Sequence, residues 1–120
     1  MSKENVIKQR SFDFAIRIVK LYQYLNADKQ EYVMSKQLLR SGTSVGAMVR
    51  EAEHSESKVD FIHKLSVAQK EINETLYWLE LLKATDYLTE PEFDSINTDA
   101  IEIIKLITTI IKTAKQNIKH

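Results

Sequence analysis

The chain has 120 residues, 43% of them hydrophobic and 28% charged, with 17 basic and 17 acidic side chains and so no formal net charge. That composition suits one globular domain over residues 1–120 with its own core, and a zero total gives no global attraction to nucleic acid or membrane. Cysteine is absent, which removes disulfides, zinc–thiolate sites and thiol catalysis and fits a reducing, cytoplasmic setting.

Helical periodicity is nearly continuous and strand alternation is missing. No apolar leader opens MSKENVIKQR, so no signal peptide is expected. Phe14, Ile18, Leu21 and Leu25, repeating at four, three and four residues with Ala15, Val19 and Tyr22 beside them, predict a first helix from about Ser11, or earlier, to Leu25. Asn26 to Lys29 reads as a turn. Ser35 is the expected N-cap of a second helix ending near Glu53, with Leu38, Gly42, Val45, Val49 and Ala52 as its apolar stripe. His54 to Ser57 breaks the pattern, and Ser57 with Asp60 is the cap signal of a third helix. Phe61, Leu65, Ala68, Ile72, Leu76, Leu79 and Leu82 carry it to about Thr85. Thr89-Glu90-Pro91-Glu92 has capping-box spacing with proline in a tolerated early position. Phe93, Ile96, Ala100, Ile103, Ile107, Ile110 and Ala114 then sustain a fourth helix. Its most apolar run, IEIIKLITTIIKTA, is interrupted by Lys105 and Lys112, so no membrane span is expected. Four amphipathic helices with short connections predict an all-α, antiparallel up-down-up-down four-helix bundle. A second apolar row on the last helix, Ile104, Ile111 and Ile118, is either a wide core face or a surface for another chain.

The only two glycines, Gly42 and Gly46, sit one turn apart inside the second helix and are flanked by Ser41 and Ser44. A glycine in a helix interior costs roughly 1 kcal/mol relative to alanine, so this face is expected to admit another backbone closely, within the chain or between chains. Gln37, Ser41, Ser44, Met48 and Glu51 form a mostly polar stripe beside it, at offsets of four, three, four and three. Glu71, Glu74 and Trp78 share one side of the third helix, and Arg40 is suited to pair with one of those carboxylates, in the same chain or across an interface.

SKQLLRSGTSVGAMVREAE followed by FIHKLSVAQKEINETLYWLELL resembles the four-helix bundle proteins encoded in intervening sequences of bacterial 23S ribosomal RNA genes (S23-like). The matching residues are Gln37, Leu38, Arg40 and Ser41; Ser44, Val45 and Glu51; Phe61; and Glu71, Glu74, Trp78 and Leu79. Met48 departs from the pattern, which usually has asparagine there. The resemblance spans nearly the full length. It implies a bundle that assembles as a cyclic homopentamer, with no established enzymatic activity. It also extends to the accessory variability proteins of diversity-generating retroelements, which partner a reverse transcriptase and nucleic acid.

Enzyme chemistry finds little support. Glu51 and His54 have the Glu-x-x-His spacing of di-iron bundles, but a second such motif is missing, and His63 lacks a matched partner. Phosphate loops and nucleophile elbows are absent, so no enzyme, metal or cofactor is expected. Charge is unevenly spread: residues 1–20 carry +3, residues 103–120 carry +4 and residues 80–102 carry −6. In an up-down-up-down bundle this makes the pole bearing the termini basic, with Lys8, Arg10, Lys112, Lys115 and Lys119 as candidate nucleic-acid contacts. Part of the asymmetry is ordinary matching of side chains to the helix dipole. The expected function is a non-enzymatic, self-associating interaction module for nucleic acid or a nucleic-acid enzyme, with no membrane partner. The alternative is a structural or regulatory module for a protein partner without nucleic-acid contact.

Overall fold

Four helices follow the apolar repeats in chain order: α1 (Lys3–Ala27), α2 (Met34–Glu53), α3 (Lys58–Ala84) and α4 (Glu90–Ile118). The structure is a computed structural model and describes residues 2–118. Each helix borders its two neighbours around a square, α1 on α2, α2 on α3, α3 on α4 and α4 on α1, in a bundle measuring 52 × 23 × 22 Å. The expected up-down-up-down bundle is the fold observed.

Local chemistry sets the helix ends. α1 begins eight residues before Ser11, because the Ser2 side chain accepts the Asn5 backbone N–H at 3.2 Å and Ile7 extends the buried stripe. Ser57 caps α3 by accepting from the Asp60 N–H at 3.0 Å. Thr89 and Glu92 form a reciprocal capping box at the start of α4, with distances of 2.8 and 3.3 Å.

The expectation for α2 needs correction. Ser35 is not its N-cap: it lies inside the helix and is fully buried. The orphan N–H groups of Val33, Met34 and Ser35 are instead taken by the carboxylate of Glu31, at 3.1, 2.8 and 2.7 Å. A carboxylate with two oxygens satisfies three donors that one hydroxyl could not.

Two left-handed residues close helix ends, Gln30 at φ 55° and Asp86 at φ 68°, each just beyond a C-terminus. Glycine is the usual residue there. Here both glycines are instead inside α2.

The core runs the length of the bundle through Phe14, Ile18, Leu38, Val45, Leu65, Ile72, Leu79, Ile103 and Ile107, each at most 2% exposed. Phe61, Leu76 and Ala114 are only half-buried at its margin. Of the second row on α4, Ile111 is buried, Ile104 is half-buried and Ile118 is exposed, so the row joins the core at its centre and leaves it at its end.

Candidate interaction surface

The glycines bring α2 onto α1 of the same chain. A Cβ on Gly42 would lie 2.8 Å from both Cγ1 and Cγ2 of Ile18, and one on Gly46 would lie 3.3 Å from the backbone oxygen of Ser11. Ile18 is fully buried, so its branched side chain has little freedom to move aside.

The polar stripe of α2 is not one surface. Gln37 and Glu51 are exposed, while Ser41 is fully buried. The hydroxyl oxygens of Ser41 and Thr75 stand 2.9 Å apart, and that of Thr75 also donates to the Glu71 carbonyl at 2.8 Å. Ser44 donates back to the Arg40 carbonyl at 2.6 Å. Met48 is half-buried against the core, so the departure from asparagine places an apolar chain where packing accepts one. Glu51 pairs with Lys64 of α3 at 3.2 Å.

Arg40 forks onto both expected carboxylates, at 3.3 Å to Glu71 and 2.5 Å to Glu74. The Trp78 indole N–H donates to the same Glu74 oxygen at 3.3 Å. The bond from Arg40, aided by that from Trp78, holds the Glu74 carboxyl below its usual pKa, and Glu74 in turn raises that of Arg40. Arg40 is half exposed, so this fork is screened by solvent and fixes the α2–α3 register more than it adds stability. Each of these contacts lies within one chain.

The basic pole is less uniform than the termini alone imply. The α2–α3 connection ends at the same pole and delivers Glu51, Glu53 and Glu56. Lys8 is paired with Glu53 at 3.1 Å, and Arg10 with Glu102. Lys112 and Lys115 are exposed and form no ion pair among the described residues, whereas Lys119 lies outside those residues. A groove of about 610 Å³ opens at this pole over Phe61, Ile110 and Ala114, with Lys3, Glu4, Glu56 and Lys58 at its rim. Its mixed charges favour neither sign of ligand.

Among the described residues no cluster of three or more His, Cys, Asp or Glu could hold a metal ion, and no helix is long and apolar enough to cross a membrane. Sequence reasoning missed Thr75 and Glu31. The first had a signal, since Thr75 is the one hydroxyl on the buried side of α3 opposite Ser41. The second had none, because Glu31 acts from a connection whose path depends on the packed helices.

The model of the 23S rRNA-intervening sequence protein family matches residues 3–109. A crystal structure of a protein of unknown function, from the S23 ribosomal protein family of Bacteroides thetaiotaomicron, superposes with a TM-score of 0.92. It is 57% identical in sequence, over 92% of this chain and 99% of the other. No curated protein matches the sequence. The buried serine–threonine pair, the Arg40 fork and the glycine seam thus occupy a bundle shared along nearly the whole chain, and the protein belongs to the 23S rRNA-intervening sequence protein family.

Proposed function

We propose that the protein is a non-enzymatic, self-associating bundle that binds nucleic acid, alone or together with a nucleic-acid enzyme. The observation that carries this reading is the end of α4, which from residue 103 to 118 holds lysines and no Asp or Glu. Lys8, Arg10, Arg17, Arg40 and Lys64 are each tied to a carboxylate, whereas Lys112 and Lys115 on the last turns of α4 project unpaired among the described residues. Unpaired lysines on a rigid helix are the groups that displace counterions from phosphates. Self-association is supported by Phe12, Ile16 and Val19, which stand 47%, 41% and 38% exposed at offsets of four and three on α1. In a cyclic pentamer, the assembly implied by the family resemblance, every copy points the same way and the α4 lysines gather on one face.

The test is binding of the purified chain to nucleic acid at increasing salt. The wild type is expected to bind at low salt with a steep salt dependence, and Lys112→Gln combined with Lys115→Gln and Lys119→Gln is expected to lose binding with helicity and assembly kept. Ile16→Lys is expected to leave a folded monomer that binds more weakly. Absence of binding by the assembled wild type at low salt overturns the reading in favour of a protein partner.

A further inference from the structure

The acids of α3 and α4 are distributed in a way that defines a longer surface than the pole. Within 66–77 and 101–115 there are three, Glu71, Glu74 and Glu102. Glu71 and Glu74 are held by Arg40 on the α2 side of α3, and Glu102 by Arg10 on the α1 side of α4. The remaining outer face, where α3 meets α4, therefore carries no acid of its own over that length.

Two stripes flank it. On α4, Ile101, Lys105, Thr108, Lys112 and Lys115 recur at offsets of four, three, four and three, all exposed. On α3, Ser66, Lys70, Asn73 and Tyr77 recur at four, three and four, and all but Ser66 are exposed. A hydrogen bond from Gln69 to Thr108, 3.0 Å long, ties the two stripes together. None of the four lysines forms an ion pair among the described residues. Glu74, whose charge Lys70 feels, is already committed to Arg40. At 1.5 Å of rise per residue the stretch from Ile101 to Lys115 spans roughly 20 Å.

We infer that this α3–α4 face is the contact surface for a single-stranded nucleic acid laid along the helix axes, with Lys70, Lys105, Lys112 and Lys115 on its phosphates and Tyr77 stacked on a base. This rests on the nucleic-acid reading above and extends it from the pole to the side of the bundle. The choice of single strand over duplex comes from the end of the face away from the termini. Tyr77 is 56% exposed, and its ring is set edge-on against Trp78 at 5.0 Å, so it is presented and held in place. A duplex offers its phosphates but no free base face to such a ring, whereas an unpaired base stacks on it. Asn73, Gln69 and Thr108 supply hydrogen-bonding groups between the cations, as a backbone with sugars and exposed base edges requires.

The experiment uses the full chain and a fluorescent 20-nucleotide single-stranded RNA, with a duplex of the same length as competitor, across a salt series. Two double variants are compared, Lys70→Gln/Lys105→Gln and Lys112→Gln/Lys115→Gln, together with Tyr77→Ala and Tyr77→Phe. Helicity and assembly are followed by circular dichroism and light scattering. Both double variants are expected to bind more weakly and to lower the salt slope by about 1.4 each, two phosphate contacts at about 0.7 per contact. Tyr77→Ala is expected to lose about tenfold in affinity and Tyr77→Phe little. If only Lys112→Gln/Lys115→Gln weakens binding, the contact is confined to the pole and the longitudinal face is wrong, with the nucleic-acid reading intact. If the duplex competes better than the single strand, or Tyr77→Ala binds as well as wild type, the single-strand assignment falls. If no nucleic acid binds at low salt, both proposals fall.

Discussion

On the side of α1 turned to α2, Ile18 leaves no room for an added carbon on Gly42 and Ser11 only a tight fit for one on Gly46, whereas on the side turned to α4 two arginines reach across open grooves. Arg10 pairs with Glu102. Arg17 pairs with Asp99 at 2.6 Å and also donates to the backbone and side chain of Ser95, at 3.2 and 2.9 Å. The grooves beside them measure about 430 and 520 Å³. One helix is thus closed by volume on one edge and by charge on the other. The first kind of seam responds to side-chain size and ignores salt, and the second does the reverse. The bundle therefore has a direction of easiest opening, along α1 and α4.

The largest expected effect breaks the tight seam. Gly42→Leu forces a branched chain against Ile18 and is expected to destabilise the fold by about 3 kcal/mol, the upper end of overpacking costs. Thermal or denaturant unfolding measures it, and a wild-type midpoint would refute the volume account. Next comes the connection that feeds this seam. Glu31→Gln is expected to cost about 1–2 kcal/mol at neutral pH, since one amide oxygen replaces two carboxylate oxygens as acceptor for three N–H groups.

The same residue gives a pH signature. Burial alone raises the Glu31 carboxyl, but the N–H bonds from Met34, Ser35 and Val33 outweigh it and hold the carboxyl below its usual 4.5. A folded value below the unfolded one means the contribution is complete above the unfolded value and lost as pH falls through the folded one. The melting temperature of wild type is therefore expected to drop below about pH 4.5, and Glu31→Gln to show less of that drop.

On the open seam, Arg17→Ala is expected to cost under about 1 kcal/mol, because the pair is partly exposed, and the difference from wild type should shrink at high salt. A large, salt-independent loss would mean that the α1–α4 edge is closed by packing after all. The smallest effect sharpens the tight seam from within. Gly46→Ala asks Ser11 to give by a few tenths of an ångström, while the helix gains roughly 1 kcal/mol of propensity. A net change within about 0.5 kcal/mol is expected, clearly smaller than that of Gly42→Leu.

Apolar spacing alone was enough to place the four helices. The core positions of α2, namely Leu38, Gly42, Val45, Val49 and Ala52, are all buried as their spacing predicts. The capping box at Thr89 and Glu92 and the cap at Ser57 were also legible, because each operates within four residues of chain. Ser35 misled for the same reason turned around. A serine before an apolar repeat has the right local chemistry for a cap, but Glu31 reaches the same donors with a better acceptor. Arg40 was readable as a partner for Glu71 or Glu74, and the fork onto both was not, since that depends on how far α2 and α3 are rotated against each other.

The sequence by itself determined that this chain forms four amphipathic helices in an antiparallel bundle, since burial of an apolar stripe at a period near 3.6 residues has few other solutions, and that its two glycines serve packing. Tertiary structure decided which neighbour each glycine meets, which cations are left unpaired among the described residues, and which face the acid-poor stretches 66–77 and 101–115 of α3 and α4 form together. Those outcomes depend on helix rotation and on contacts such as Lys8 with Glu53 or Arg10 with Glu102, between residues 45 and 92 positions apart. A carboxylate's sign is written in the sequence, but the cation it neutralises is chosen only when the helices have packed.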